Sequence, residues 1–148
     1  MQHRAVIGLG SNKGDREFYL QSARFMMERE LGSIVLRSSV IETPSWGFDS
    51  SPFLNQVIVM ETALSPLDLL DGLQSIERRL GRTQKSYLQD GKPVYHDRTI
   101  DLDILDYDRI HYHDDRLTLP HPHIAERDFV LASLKELNLN LTENEDTL

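Results

Sequence analysis

The chain contains no cysteine among its 148 residues, and this absence excludes several kinds of chemistry. Disulfide bonds, thiolate catalysis and cysteine-ligated zinc sites all need the missing thiol. A chain without disulfides suits a reducing compartment, and we expect a cytoplasmic protein.

Long apolar runs and an excess of positive charge are also missing. No segment approaches the roughly 18 consecutive apolar residues that cross a bilayer, and the first residues lack the pattern of a signal peptide. We therefore expect neither secretion nor membrane insertion. The net charge of -8 argues against a nucleic-acid or anionic-membrane surface, because both need a spread positive potential.

The chain does contain enough apolar residues to form one hydrophobic core. With 39% hydrophobic residues we expect one domain over residues 1–148, whose acidic tail over 140–148 is frayed.

Periodicity predicts strands over 3–9, 33–42, 53–61, 98–105, 110–112 and 117–119, and helices over 15–30, 65–81 and 129–137. Asp15 and Ser65 are the expected N-caps. Residues 81–97 form a long polar loop that we expect to be functional and mobile. The element order favours an α+β, ferredoxin-like sandwich with a mostly antiparallel sheet flanked by helices.

The strand over 98–105 is the most informative segment, because Ile100, Leu102 and Ile104 alternate with Asp101 and Asp103. In a strand the two carboxylates share one face, roughly 7 Å apart at Cα. Hard oxygen ligands favour Mg²⁺, and paired Mg²⁺ ions recur in phosphoryl transfer. An edge strand with a solvated acidic face is the simpler alternative.

Two further patterns suggest ligand binding less strongly. The glycine-rich residues 8–14 join a strand to a helix, but their spacing fits neither phosphate-loop motif, and a tight turn is the simpler interpretation. Four histidines, His111, His113, His121 and His123, could bind a transition metal. Ordinary loops are the simpler interpretation, and one histidine acting on phosphate oxygens is favoured over a four-histidine site.

Basic residues concentrate in the second half of this acidic chain, near the aspartate pair. They are Arg78, Arg79, Arg82, Lys85, Lys92, Arg98, Arg116 and Arg127. Such groups could clamp phosphate oxygens, as triphosphate transfer requires. Arg78 and Arg79 fit a solvated helix face equally well.

Aromatic residues could enclose a flat ring. The candidates are Trp46, Phe48, Phe53 and Phe129, with Asn55 reading the ring's edge through a paired donor and acceptor. Core packing is the alternative for Phe53 and Phe129.

Taken in order, several motifs resemble the 6-hydroxymethyl-7,8-dihydropterin pyrophosphokinase family. They are Gly-Ser-Asn-Lys-Gly at 10–14, Phe-Leu-Asn at 53–55, Glu77 with Gly81 and Arg82, Arg-Thr-Ile-Asp-Leu-Asp at 98–103, Leu-Pro-His-Pro at 119–122 and Arg-Asp-Phe-Val-Leu at 127–131. The resemblance spans residues 5–137. It implies transfer of the ATP pyrophosphoryl group to the pterin hydroxymethyl oxygen, which gives AMP and the pterin pyrophosphate in folate biosynthesis. We expect a monomer whose partners are these small substrates.

The resemblance also implies roles for individual residues. Asp101 and Asp103 would hold two Mg²⁺ ions, and Arg98 and Arg82 would complete the catalytic set. The pterin would be held by Thr43, Pro44, Phe53, Asn55 and Phe129. The nucleotide would be held by Gln74, Glu77, Arg98, Ile104, Arg116, Thr118, His121 and Arg127. Residues 42–52 and 81–97 are the expected lids.

The chain departs from the family pattern in the 81–97 segment and near its second histidine pair. Gln84 stands at a position that is frequently arginine, Tyr95 replaces a tryptophan, and Lys85 and Lys92 could substitute for missing basic groups. Pro122 stands where some members have tyrosine.

Three rival interpretations stand beside the resemblance. They are a metal-dependent nucleotide phosphohydrolase, a non-catalytic binding relative, and a chain in which each of these segments is an ordinary core or surface segment.

Overall fold

A computed structural model describes residues 2–44, 52–81, 86–89, 92–95, 99–122, 124 and 127–139, with backbone alone at 86–89 and 92–95. The strands are β1 His3–Ser11, β2 Ser33–Arg37, β3 Ile41–Thr43, β4 Phe53–Thr62, β5 Ser86–Gln89, β6 Lys92–Tyr95, β7 Asp101–Tyr107, β8 Tyr112–His113 and β9 Thr118–Leu119. The helices are α1 Arg16–Glu30, α2 Pro66–Arg79 and α3 Asp128–Glu136. In this part of the chain no helix is long and apolar enough to span a bilayer.

The main sheet has the strand order β2-β4-β1-β7, and β3 pairs with a further stretch of β4. Every pairing in it is antiparallel. Two small hairpins, β5–β6 and β8–β9, complete the described strands. The predicted α+β class with a mostly antiparallel sheet is confirmed.

Each face of the sheet has its own apolar cluster, because side chains alternate along the strands. The larger cluster joins Ile7, Ile58 and Ile104 to α1 and α2. The smaller cluster joins Val6, Val57 and Leu105 to α3, which contributes Val130 and Leu134. Helix α3 therefore lies on the sheet face opposite to α1 and α2.

The predicted helix ends are confirmed where local chemistry sets them. The Asp15 side chain accepts a hydrogen bond from the Phe18 amide at 3.1 Å, and Ser65 does the same for the Asp68 amide at 3.2 Å. Gly81 follows α2 with φ +99°, a conformation that side-chain-bearing residues rarely adopt.

Several predicted boundaries are wrong, including those of β1, which runs to Ser11 rather than residue 9, and β8, which covers Tyr112–His113 rather than 110–112. The 81–97 segment contains the β5–β6 hairpin rather than a continuous loop. The predicted strand over 33–42 divides in two at Ser38, whose hydroxyl accepts from the Val57 amide at 2.9 Å. Strand β7 continues to Tyr107 because that ring packs into the larger core and its hydroxyl donates to the Leu64 carbonyl.

Candidate active site

The aspartate strand β7 has the alternation that the sequence predicts. Leu102 and Ile104 are buried in the larger core, and Asp101 and Asp103 are half-buried on the other face of the sheet. The Asp103 side chain keeps 24% of its exposure, and its Oδ2 lies 4.0 Å from Arg127 Nη1. The carboxylate pair is therefore accessible, and a guanidinium stands at its edge.

Strand register sets the aspartates opposite the predicted ring-binding side chains. Gly10 of β1 pairs with Asn55 of β4 on one side and with Asp101 of β7 on the other. Directly paired residues share a face, so the three positions form one row across the sheet. Two strand spacings separate Asn55 from Asp101, about 10 Å at the backbone. We call this the Asn55–Gly10–Asp101 row.

Asn55 is oriented by contacts inside the protein. Its Nδ2 donates to the Ile41 carbonyl at 3.1 Å and to Thr43 Oγ1 at 2.8 Å. A carbonyl can only accept, so the amide orientation is fixed, and both hydrogens are used. The sequence predicts that the Asn55 amide offers a ligand both a donor and an acceptor. In the structure the donor Nδ2 is already bonded, and the acceptor Oδ1 is the group left for a ligand. A ligand at this site would meet Asn55 with an N–H group.

The other predicted ring-binding residues lie in or next to β3, in β4 and in α3. Thr43 pairs directly with Phe53 across β3 and β4, and Pro44 follows Thr43 in exposed chain. Phe129 of α3 packs partly against the smaller core and stays half-buried. The core-packing alternative therefore accounts for part of the Phe129 surface, and the remainder is available to a ligand.

A second group of predicted residues lies beyond the outer edge of β7. Arg116, in the β8–β9 turn, donates to Asp71 Oδ1 at 2.6 Å and to Gln74 Oε1 at 3.1 Å, both on α2. Thr118 Oγ1 lies 2.8 Å from His113 Nδ1. The hairpin and α2 therefore meet through polar side chains next to the aspartate strand.

Asp114 shapes the turn that carries Arg116. Its carboxylate accepts from the Tyr112 hydroxyl and from the amides of Arg116 and Leu117. These hydrogen bonds, the Tyr112 bond foremost, hold the pKa of Asp114 below its ordinary value. The turn is consequently stabilised by the charged form of this carboxyl.

Three predicted nucleotide residues have surroundings that limit how they could act. Ile104 is 2% exposed in the larger core, so it offers little surface to a ligand. Glu77 is 5% exposed, and its Oε2 accepts from the Leu102 amide at 2.7 Å. The His121 amide donates to the Leu105 carbonyl at 2.8 Å, which places this half-buried histidine beside β7.

Several predicted positions lie outside the described residues. They are Arg82, Arg98, Gln84, Lys85, Trp46, Phe48, His123 and the tail over 140–148, together with the side chains of Lys92 and Tyr95. Of the predicted lids, residues 45–51 fall in the same category.

The donor set at the aspartates fits Mg²⁺ better than a transition metal. Among the described residues no group of three His, Cys, Asp or Glu side chains could hold a metal ion. Mg²⁺ is commonly bound by one or two carboxylates together with waters and substrate phosphates, which is the set available here. The four-histidine alternative gains no support from the described histidines, since His111 and His113 are exposed and His113 contacts Thr118.

Two contributors to the site escaped prediction. Arg16, at the start of α1, donates to the Pro52 carbonyl at 2.8 Å and lies 2.8 Å from Glu42 Oε2. It thereby joins the two described ends of the chain that flank residues 45–51. Gly10 was considered only as part of a turn, although its pairing sets it between Asn55 and Asp101. Both roles depend on long-range pairing, for which the local sequence carries no signal.

Known proteins resemble this chain over most of its length. The family model for 7,8-dihydro-6-hydroxymethylpterin-pyrophosphokinase (HPPK) matches residues 6–139. The chain is 44% identical over 135 residues to the 2-amino-4-hydroxy-6-hydroxymethyldihydropteridine pyrophosphokinase of Porphyromonas gingivalis, covering 88% of each chain. It is 40% identical over 139 residues to the enzyme of that name from Bacillus subtilis, covering 93% of this chain and 79% of the relative.

Solved structures show the same fold at low identity. An HPPK-DHPS chain in complex with substrates aligns with a TM-score of 0.72 at 15% identity, over 98% of this chain and 42% of that chain. A wild-type Plasmodium falciparum HPPK-DHPS chain gives a TM-score of 0.73 at 16% identity, over 97% of this chain and 43% of that chain. This chain therefore spans about two fifths of those longer proteins. From its sequence match, the chain belongs to the 7,8-dihydro-6-hydroxymethylpterin-pyrophosphokinase family.

Proposed function

We propose that this protein transfers the pyrophosphoryl group of ATP to the hydroxymethyl oxygen of 6-hydroxymethyl-7,8-dihydropterin, giving AMP and the pterin pyrophosphate in folate biosynthesis. The curated bacterial relatives carry the name of this activity. The observation that carries the proposal is the Asn55–Gly10–Asp101 row, which aligns a hydrogen-bonding side chain with the carboxylate pair. The span of about 10 Å suits a bicyclic ring whose hydroxymethyl group points toward Asp101.

On the pterin side, the ring would lie against Phe53 and Phe129. Asn55 Oδ1 would accept a hydrogen bond from a ring N–H, because both Nδ2 hydrogens are already used. Thr43 and Pro44 would border the ring where β3 ends. A pterin presents both amino and ring N–H groups, so an acceptor-only Asn55 matches its edge.

On the phosphate side, Asp101 and Asp103 would hold two Mg²⁺ ions, which supply charge neutralisation at the phosphates and a lower pKa for the hydroxymethyl oxygen. Arg127, 4.0 Å from Asp103, would contact phosphate oxygens that the carboxylate-bound ions leave uncovered. Arg98 and Arg82 are proposed for the same task from their places in the sequence. The reaction would then depend mainly on positioning and charge stabilisation, and we assign no general base.

The nucleotide would lie along the outer edge of β7. Gln74, Arg116, Thr118 and His121 lie near that edge, and Ile104, buried in β7 itself, is proposed there from the resemblance alone. Arg116 already has partners on α2, so nucleotide binding would exchange an exposed ion pair with Asp71 for contacts to the ligand. Exposed pairs contribute only about 0–1 kcal/mol, so this exchange costs little.

Water must be kept from the phosphates, since hydrolysis of ATP would otherwise compete. The segments 42–52 and 81–97 are proposed, from their places in the sequence, to close over the site. We also propose a single catalytic domain that acts as a monomer in the cytoplasm. The absence of cysteine is compatible with that compartment.

The test is a product analysis. The protein is incubated with MgATP in the presence and absence of 6-hydroxymethyl-7,8-dihydropterin, and AMP is separated from ADP by chromatography. Pterin-dependent AMP is the expected result.

Two other results would contradict the proposal. ADP, or phosphate released without pterin, would indicate a different phosphotransferase or a nucleotide hydrolase. Binding of both substrates without any product would indicate a non-catalytic relative. An Asp103→Ala variant serves as the matched blank for contaminating kinases, because it removes one carboxylate at a half-buried surface position.

A further inference from the structure

A buried carboxylate on α2 contacts the backbone of the aspartate strand. Glu77 lies in the last turns of α2 and is only 5% exposed. Its Oε2 accepts from the Leu102 amide at 2.7 Å. Leu102 is the residue between Asp101 and Asp103, so this bond fixes the Asp101–Leu102 peptide unit, one of the two that separate the proposed metal ligands.

The Leu102 amide needs such an acceptor because of its place in the sheet. Strand β7 stands at the end of the strand order, and its pairing with β1 is regular from Asp101 to Ile104. Backbone groups of alternate residues therefore point toward β1 and away from it. The Leu102 amide points away, toward α2, and this residue is 3% exposed, so water has little access to it. A buried amide left without an acceptor is costly.

The bond lies at the short end of the N–H···O range, at 2.7 Å. It links a rigid helix to the edge strand at one defined residue. Neighbouring Gln74, one turn earlier on α2, contacts Arg116 of the β8–β9 turn instead. Two side chains of α2 thus contact the two elements that border the proposed nucleotide site: Glu77 contacts β7, and Gln74 contacts the β8–β9 turn.

We propose that Glu77 is a positioning residue that fixes the spacing and direction of the Asp101 and Asp103 carboxylates by holding the Leu102 amide. The inference rests on the proposed function, because it assumes that these aspartates bind Mg²⁺. It replaces a direct contact between Glu77 and the nucleotide, for which a side chain with 5% exposure offers little surface. Groups that orient metal ligands typically change metal affinity about 10–100-fold when removed.

The experiment compares two substitutions of similar size. Glu77→Met fills the buried volume without an acceptor, and Glu77→Gln keeps an oxygen that can accept the same bond. Glu28→Ala, which removes an exposed carboxylate from α1, is the control for lost negative charge. Chemical unfolding establishes that every variant folds.

Two readouts separate positioning from catalysis. Hydrogen exchange at the Leu102 amide, measured by NMR without ligands, reports the bond itself. Mn²⁺ titration followed by electron paramagnetic resonance, with a non-hydrolysable ATP analogue present, reports metal affinity. We expect Glu77→Met to speed exchange at Leu102 and to weaken Mn²⁺ binding about 10–100-fold. Glu77→Gln and Glu28→Ala should stay within about threefold of the wild type, inside ordinary context-dependent variation.

The results that overturn the inference are distinct from those that overturn the proposed function. Wild-type Mn²⁺ binding that Asp103→Ala leaves unchanged would contradict the metal site, and this inference with it. Mn²⁺ binding that requires Asp103 but is normal in Glu77→Met would contradict this inference alone. Equal weakening by Glu77→Gln and Glu77→Met would show that the carboxylate charge acts rather than the hydrogen bond, and would also overturn it.

Discussion

Replacing Gly10 by alanine should separate ligand binding from folding. A methyl group at this position would stand 3.4 Å from Phe53 Cδ1 and 3.5 Å from Asn55 Oδ1. Both are ordinary contact distances, and Gly10 does not have the positive φ that favours glycine. The protein should therefore fold normally, with a free energy of unfolding unchanged or raised by up to about 1 kcal/mol through the unfolded state.

The same methyl group would stand beside the oxygen that a pterin N–H must approach to about 2.9 Å. Loss of one such bond at a buried acceptor costs about 1–3 kcal/mol, which corresponds to a pterin Kd raised on the order of 10–100-fold. Isothermal titration with the pterin, in the presence of a non-hydrolysable ATP analogue, measures this Kd. Nucleotide affinity measured without pterin should change far less, since the nearest atoms to this methyl group belong to the proposed pterin residues Phe53 and Asn55.

Gly8→Ala is the matched control, since Gly8 occupies the same strand and the same face. The nearest atoms to a methyl group there belong to the Leu105 side chain, at 3.5 Å and beyond. It should leave pterin binding close to wild type. Normal pterin affinity in Gly10→Ala, or equal losses in both variants, would refute the placement of the ring at the Asn55–Gly10–Asp101 row.

Three further predictions concern other parts of the site. Asp103→Asn should lower kcat at saturating substrates about 100-fold or more with an unchanged unfolding midpoint, and retained turnover with normal Mg²⁺ dependence would contradict the metal assignment. Asn55→Ala should weaken pterin binding by about 1–3 kcal/mol and ATP binding far less, as titration of each ligand would show, whereas equal weakening would argue against the pocket. Asp114 has a pKa below its ordinary 3.8, so its stabilising effect is present above that pH and is lost as the pH falls through the lower folded value. Urea midpoints measured between pH 5 and 3, a range chosen from the ordinary carboxyl pKa of about 4, should fall less steeply for Asp114→Asn, and identical slopes would contradict this.

Helix α3 packs against part of the sheet face that also carries the Asn55–Gly10–Asp101 row. Its apolar side chains cover the rows that contain Val6 and Val59, and the smaller core forms there. The Asn55–Gly10–Asp101 row lies further along the same strands, and Phe129 of α3 packs partly against the smaller core.

Local sequence patterns predicted the features that depend on neighbours along the chain. Alternation over 100–104 gave the two faces of β7, and the Asp15 and Ser65 caps followed from side chains that bind amides three residues on. Burial of Ile104 was predicted by the same alternation, although the family resemblance had suggested a nucleotide contact for that residue.

Features that depend on which strands pair could not be predicted. The position of Gly10 opposite both Asn55 and Asp101 needs the register of three strands that are distant in sequence. The same holds for the Glu77 bond to the Leu102 amide, which joins residues 25 positions apart. A carboxylate in a helix normally indicates a solvated face, and only the packing of α2 on β7 reveals that Glu77 is buried.

A crystal structure of the protein with the pterin, Mg²⁺ and a non-hydrolysable ATP analogue would test the central claim most directly. The account predicts the ring edge on Asn55 Oδ1, the hydroxymethyl group beyond Gly10, and Mg²⁺ on Asp101 and Asp103. A pterin bound away from this row, or metal ions held by other side chains, would contradict it.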